Sequence, residues 1–134
     1  ATPFGARVAR RLRDETVIWL TAVAADGTPQ PNPVWFLWDG ASFLVYCQRG
    51  AKRLEHIQRN PRVALNFDCD TQGEDIVVFT GEARLSADDP PPQRHAGYVA
   101  KYRDLIAGLD LSPEAFAAQY SEALRIAPTH VRGF

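Results

Sequence analysis

Three prolines at alternating positions, Pro29, Pro31 and Pro33, limit what the first third of this chain can build. The residues before them, 17–24 (VIWLTAVA), are a short apolar run rich in strand formers. Ala25-Asp26-Gly27 follows, and aspartate-glycine is a strong hairpin signal. The returning strand, about 28–38, therefore carries all three prolines. Successive residues of a strand point their N–H groups to opposite edges. Prolines at i, i+2 and i+4 strip donors from one edge only, so that edge cannot pair in the ordinary way. Solvent, a bulge or a ligand has to lie along it.

The rest of the chain is patterned for more strands and a few helices. Phe4, Val8 and Leu12 share one face of a helix over residues 4–14, with arginines around them. Val34 to Trp38 continues the proline strand, Asp39-Gly40 turns, and Ser42 to Gln48 returns. Residues 51–59 predict a helix that ends before Asn60-Pro61. Val63 to Phe67 and Ile76 to Leu85 are strands around a polar stretch, Asp68 to Asp75. Helices follow at 93–107 and 113–120, the second with Ser112 as N-cap and Pro113 at its first position. Leu124 to Val131 is a last strand. Six strands with short early hairpins predict a mainly β (α+β) fold, an antiparallel barrel or sandwich with peripheral helices. Asp88-Asp89-Pro90-Pro91-Pro92 divides a strand-rich part from a helix-rich end. Both parts are short for separate cores, so residues 1–134 are read as one domain.

Charge and cysteine usage exclude several classes. The 15 basic and 16 acidic residues leave a formal net charge of −1, which gives no electrostatic footprint for nucleic acid. No apolar run approaches the ~18 residues that cross a bilayer. Ala1-Thr2-Pro3-Phe4 lacks the regions of a secretory signal, and Cys47 and Cys69 form no disulfide framework. The expectation is a cytoplasmic protein with neither membrane nor nucleic acid as partner. His56, His95 and His130 show no metal-ligand spacing with the cysteines, so no metal site is expected. They read as surface or helix-end residues. Cys47, pointing opposite Tyr46, reads as a buried free thiol, and Asp68, Asp70, Glu74 and Asp75 as a solvated acidic loop. Trp35 and Trp38 have opposite parity in one strand. One belongs to the core and the other to an interface or a cofactor cover.

The stretch 49–62 (RGAKRLEHIQRNPR) concentrates five Lys and Arg residues against one acid. On a helix over 51–59, Lys52, Arg53 and His56 share a face, and Leu54 and Ile57 face the other way. Free amides at the helix start, the positive end of its dipole and two cations together suit a phosphate. Gly50 would let a ligand approach the backbone closely. The bland alternative is a solvated basic face.

The run Gly27 to Gly40 (GTPQPNPVWFLWDG), then Arg49-Gly50-Ala51-Lys52-Arg53-Leu54, then Arg59-Asn60-Pro61-Arg62-Val63-Ala64-Leu65, resembles the pyridoxamine-phosphate-oxidase-like flavoprotein superfamily. The closer resemblance is to its branch of coenzyme F420 (deazaflavin)-dependent oxidoreductases, and it extends to Pro128-Thr129-His130-Val131-Arg132. It implies a six-stranded, FMN-binding-like split β-barrel that forms a homodimer with cofactor sites at the subunit interface. It makes Lys52 and Arg53 ligands of the cofactor's phosphate-bearing tail. Gln48 and Ala51 become their neighbours, and Asn32, Pro33, Val34 and Trp35 the platform for the ring. The implied activity is hydride transfer from reduced coenzyme F420 to a small-molecule acceptor with a conjugated carbonyl, imine or quinone-like group. Flavin mononucleotide (FMN) also carries a phosphate after a ribityl chain, so an FMN-dependent oxidase or reductase stays open. So does a non-catalytic flavin-, deazaflavin- or haem-binding protein. No catalytic side chain is evident.

Overall fold

A computed structural model describes residues 2–134. In chain order they form α1 (Pro3–Asp14), β1 (Val17–Val23), β2 (Pro29–Trp35), β3 (Leu37–Trp38), β4 (Phe43–Cys47), α2 (Lys52–Arg59), β5 (Arg62–Asn66), β6 (Val77–Ser86), α3 (Ala96–Gly108), α4 (Pro113–Gln119) and β7 (Glu122–Gly133). A short 3-10 turn, Pro92–Arg94, precedes α3. One antiparallel sheet holds the strands in the order β2-β1-β5-β6-β7-β4-β3.

That order forces the shape. β2 and β3 lie at opposite edges of the sheet, yet a single residue, Phe36, joins them. Two residues of chain span at most about 7 Å, so the sheet must curl until its edges nearly meet. The result is the split β-barrel that the sequence predicts, with seven strands in place of six. The difference arises because the proline strand does not run unbroken through Trp38. Its backbone is diverted at Phe36 by α3. The Phe36 N–H donates to the Tyr102 hydroxyl at 2.7 Å. Its carbonyl accepts from Lys101 Nζ at 2.9 Å, and the Tyr102 hydroxyl lies 2.7 Å from both this carbonyl and that of Thr16. The Phe36 ring is fully buried and meets Phe43 and Phe67, each at 5.8 Å between centroids.

The proline edge behaves as its chemistry requires. Pro29, Pro31 and Pro33 stand opposite Val23, Thr21 and Trp19 of β1. The donors toward β1 therefore come from the alternate residues Gln30, Asn32 and Val34, and no described strand covers the outer edge.

Two apolar clusters share β4, whose five residues are all buried. Phe43, Val45 and Cys47 face the barrel core, which also holds Ile18, Leu20 and Ala22 of β1 and is closed by Val8 and Leu12 of α1. Leu54 and Ile57 anchor α2 to the same core, as their helical spacing predicts. Leu44 and Tyr46 face the other way, into a cluster with Tyr98, Tyr102 and Ile106 of α3 and Phe116 of α4.

Two polar devices hold the loops. Buried Arg11 donates to the carbonyls of Asp68 and Asp75 at 2.8 and 2.9 Å. The acidic loop, expected to be simply solvated, is thus tied to α1. Arg125 of β7 binds Asp89 through two nitrogens and Asp39 through Nη1 at 2.8 Å. Tyr46 donates its hydroxyl hydrogen to the Pro90 carbonyl. The proline-rich connector is thereby fastened to β4 and β7, which sets α3 and α4 against the sheet.

Tyr102→Phe removes the hydroxyl that serves Phe36. Urea unfolding should show a loss of about 1–3 kcal/mol, the cost of leaving buried backbone groups unpaired. Hydrogen bonds from Arg125 hold the Asp89 carboxyl below the usual carboxylate range. This contribution is present above the unfolded value of ~3.9 and is lost as pH falls through the lower folded value. Asp89→Asn should therefore be less stable than the parent at pH 7, by about 1–2 kcal/mol after discounting partial exposure. The two should converge as unfolding is repeated below about pH 4.

Candidate cofactor cavity

β4 delivers the chain to the site. After Cys47 it turns through Gln48, Arg49 and Gly50 into α2, and the turn is closed by the Ala51 N–H donating to the Gln48 carbonyl at 3.1 Å. Gly50 has a φ of +79°, and a Cβ there would meet nothing within 4 Å. Its role in the fold is the left-handed turn and not a crowded approach. Ala51 caps α2 with no side-chain hydrogen bond, which leaves the first amides of the helix without a side-chain acceptor.

Beside this turn lies a cavity of about 430 Å³. β2 contributes Pro33, Val34 and Trp35, and the β4–α2 segment contributes Tyr46, Cys47, Gln48, Ala51 and Arg53. The opposite wall is Tyr98 of α3 with Leu109, Phe116 and Tyr120, and Val17 lies at the start of β1. The cavity thus has a polar end at Gln48 and Arg53 and an aromatic end under α3 and α4. Trp35 is held between its neighbours. Its ring stacks on Tyr102 at 4.8 Å and 6° and on Phe116 at 5.5 Å and 14°. Trp38 instead packs on Phe43 at 4.9 Å, against the barrel core. The parity argument is resolved in that way: Trp35 borders the cavity and Trp38 supports the core.

The titratable groups here are tuned by burial. It pushes the Cys47 thiol up, and the Arg53 guanidinium beside it offsets part of the rise. Burial, with Asp89 nearby, pushes Tyr46 up to about 12. Neither group is a ready nucleophile near neutral pH.

Six of the eight cofactor residues expected from the sequence line this one cavity: Pro33, Val34, Trp35, Gln48, Ala51 and Arg53. Asn32 and Lys52 are not among its lining residues. Asn32 is exposed on the same strand. The Lys52 side chain is 84% exposed, with its Nζ 3.8 Å from Glu55 of the next turn. Helical residues lean toward the N-terminus of their helix, and each step rotates the side chain by about 100°. At the second helical position this brings Arg53 back over the end of β4, whereas Lys52 turns to solvent. Tyr98, Leu109, Phe116 and Tyr120 complete the cavity and were not marked as site residues by the sequence. Tyr98 and Tyr102, at i and i+4 on a predicted helix, were the available signal for an aromatic face. Among the described residues, no cluster of three or more His, Cys, Asp or Glu side chains is placed to hold a metal ion. Among the described residues, no helix is long and apolar enough to cross a membrane.

Comparison with known proteins bears on the family and the fold. A family model described as pyridoxamine 5′-phosphate oxidase matches residues 4–134. A structure described as an F420 reductase is 25% identical and covers 92% of this chain and 94% of its own, with a TM-score of 0.65. A Listeria innocua protein described as a candidate pyridoxamine 5′-phosphate oxidase is 24% identical over 95% of this chain and 94% of its own, with a TM-score of 0.70. A haem storage protein of Vibrio cholerae shares the fold at 12% identity, covering 98% of this chain and 95% of its own, with a TM-score of 0.67. No curated protein matches the sequence. With the curled sheet, the cavity and a family match that spans nearly all of its length, the chain belongs to the pyridoxamine 5′-phosphate oxidase family of split β-barrels.

Proposed function

We propose that the cavity binds a flavin-type cofactor, coenzyme F420 in particular, and that the protein is an oxidoreductase. Its acceptor is a small molecule with a conjugated carbonyl, imine or quinone-like group. The observation that carries this reading is the meeting, in one cavity, of a donor-poor strand end (Pro33 to Trp35) with the cationic start of α2 (Ala51 and Arg53). A planar ring suits the first, because Trp35 and Pro33 present apolar surface to the cavity. A phosphate suits the second, because uncapped helix amides and a guanidinium both donate. The 25% identity to a protein described as an F420 reductase supports including the deazaflavin in this reading.

The chain's residues bind, orient and exclude water. When bound, the cofactor supplies the hydride. Arg53 and the α2 amides hold the tail, with Lys52 adding charge from outside. Gln48, which lines the cavity with Ala51, would neighbour the tail. Trp35, fixed by its stacking on Tyr102 and Phe116, supports the ring, and Asn32 extends that strand toward solvent. Val17 and Leu109 border the cavity while 40% and 51% exposed, so its mouth is apolar and open. A second copy of the chain covering this mouth fits that exposure, and the homodimer belongs to this reading. A cytoplasmic location fits two unpaired cysteines, buried Cys47 and exposed Cys69.

Titration of the purified protein with F420 and with FMN tests the cofactor. Tighter binding of F420 is expected; a preference for FMN overturns the deazaflavin assignment. Arg53→Ala should weaken F420 binding by about ten- to a hundredfold, the worth of a charge-assisted hydrogen bond. Lys52→Ala should cost only a few-fold, since exposed charges contribute little. Tight binding without turnover across conjugated ketones and quinones would make the protein a carrier.

Light scattering at micromolar concentration should give twice the 14.9 kDa chain mass. A monomer that binds cofactor at full affinity would sink the shared-interface reading.

A further inference from the structure

Three buried tyrosines meet beneath the aromatic end of the cavity: Tyr46, Tyr98 and Tyr102. Tyr98 stands 4.8 Å from each of the other two rings, edge-on to Tyr46. Two of the three hydroxyls are engaged by backbone. Tyr46 donates to the Pro90 carbonyl, and Tyr102 is bonded at Phe36 and Thr16. The Tyr98 hydroxyl takes part in none of the side-chain hydrogen bonds among the described residues, although the residue is only 1% exposed. It is also absent from the buried side-chain atoms that lack a partner, so it opens to the cavity, where water or a bound molecule can meet it. Tyr98 borders the cavity of about 430 Å³. Tyr120, which also lines it, is half-buried and open to water.

We propose that Tyr98 is a substrate-binding residue: its hydroxyl donates a hydrogen bond to a carbonyl oxygen of an uncharged, planar substrate seated in the aromatic end of the cavity. The inference rests on the oxidoreductase reading and gives it a substrate class. A phenol offers a donor, so the atom it meets is an acceptor. Phe116 and Leu109, which line the same end of the cavity, are apolar, so the molecule carrying that atom is flat and without charge. Burial, reinforced by Tyr102, Tyr46 and Cys47, pushes the Tyr98 phenol above its ordinary value, so it remains a donor throughout the physiological range. The reduced cofactor, when bound, would supply a hydride to the conjugated carbon, breaking its own C–H bond and leaving the cofactor oxidised by two electrons. The displaced π electrons move onto the carbonyl oxygen, where the Tyr98 hydroxyl meets the growing negative charge. A proton from water completes the product.

Tyr98→Phe tests this, with the protein loaded with F420 and two probes. One is menadione, a planar naphthoquinone; the other is 2-methylnaphthalene, a related ring system without carbonyls. Menadione should bind the variant about three- to tenfold more weakly, and 2-methylnaphthalene should bind both proteins alike. Its kcat for menadione reduction should fall about a hundredfold. The melting temperature without ligand should stay level or rise, since no internal bond is lost; Tyr46→Phe, which loses the Pro90 contact, should melt lower. Equal weakening of both probes, unchanged menadione binding, or a parent that binds no menadione would each overturn the inference. A parent that binds menadione without reducing it sinks the oxidoreductase reading instead, and the binding data still decide the role of Tyr98.

Discussion

Phe36 carries the chain from one edge of the sheet to the other, and at that point its amide and carbonyl have no strand partner. Left unpaired in the interior, they would cost more than the ladder bonds around them contribute. α3 answers with two adjacent residues, the Tyr102 hydroxyl and the Lys101 amine. This small polar knot lets a strand end, cross to the far edge and begin again within one residue. The curl of the sheet, the burial of the Phe36 ring and the approach of β2 to the helices all depend on it.

The same helix builds the site. Tyr102 stacks under Trp35 while its hydroxyl serves Phe36, so the wall of the cavity and the junction of the barrel share one side chain. Trp35 has little freedom to move without disturbing the strand break. Preorganisation of this kind lowers the cost of binding a flat molecule, because the surface it meets is already ordered. The proline-rich connector contributes from the other side, where Arg125 and Tyr46 hold it and set the angle of α3 and α4.

Much of this was legible in the residues. The alternating prolines identified a strand with one unpaired edge, and β2 is an edge strand whose prolines stand at alternate positions of its register. The spacing of Leu54 and Ile57 gave α2 its anchored face, and Ser112 caps α4 through the Ala115 amide. The division of labour between Lys52 and Arg53 was not legible. Both are cations at one helix start, and a rotation of ~100° separates solvent from the cavity. That rotation has meaning only once β4 is beside the helix. Tyr98 was equally hidden, since a tyrosine on a helix reads as core until the partners of its hydroxyl are known.

The sequence by itself determined the class of fold, the placement of nearly every strand and helix, and the segments that supply the cavity's strand wall and its cationic helix start. These follow from local chemistry: apolar periodicity, missing proline donors, turn residues and caps act over a few positions. Only the tertiary structure decided that the proline strand breaks at Phe36, that Arg53 and not Lys52 lines the cavity, and that Tyr98, of three buried tyrosines, keeps its hydroxyl free of internal hydrogen bonds among the described residues. Each of those outcomes depends on a group from a distant part of the chain: α3 against Phe36, β4 against Arg53, and the proline connector against Tyr46 but not Tyr98. Hydrogen bonds and packing over such separations are set by how the sheet curls, and no local pattern encodes that geometry.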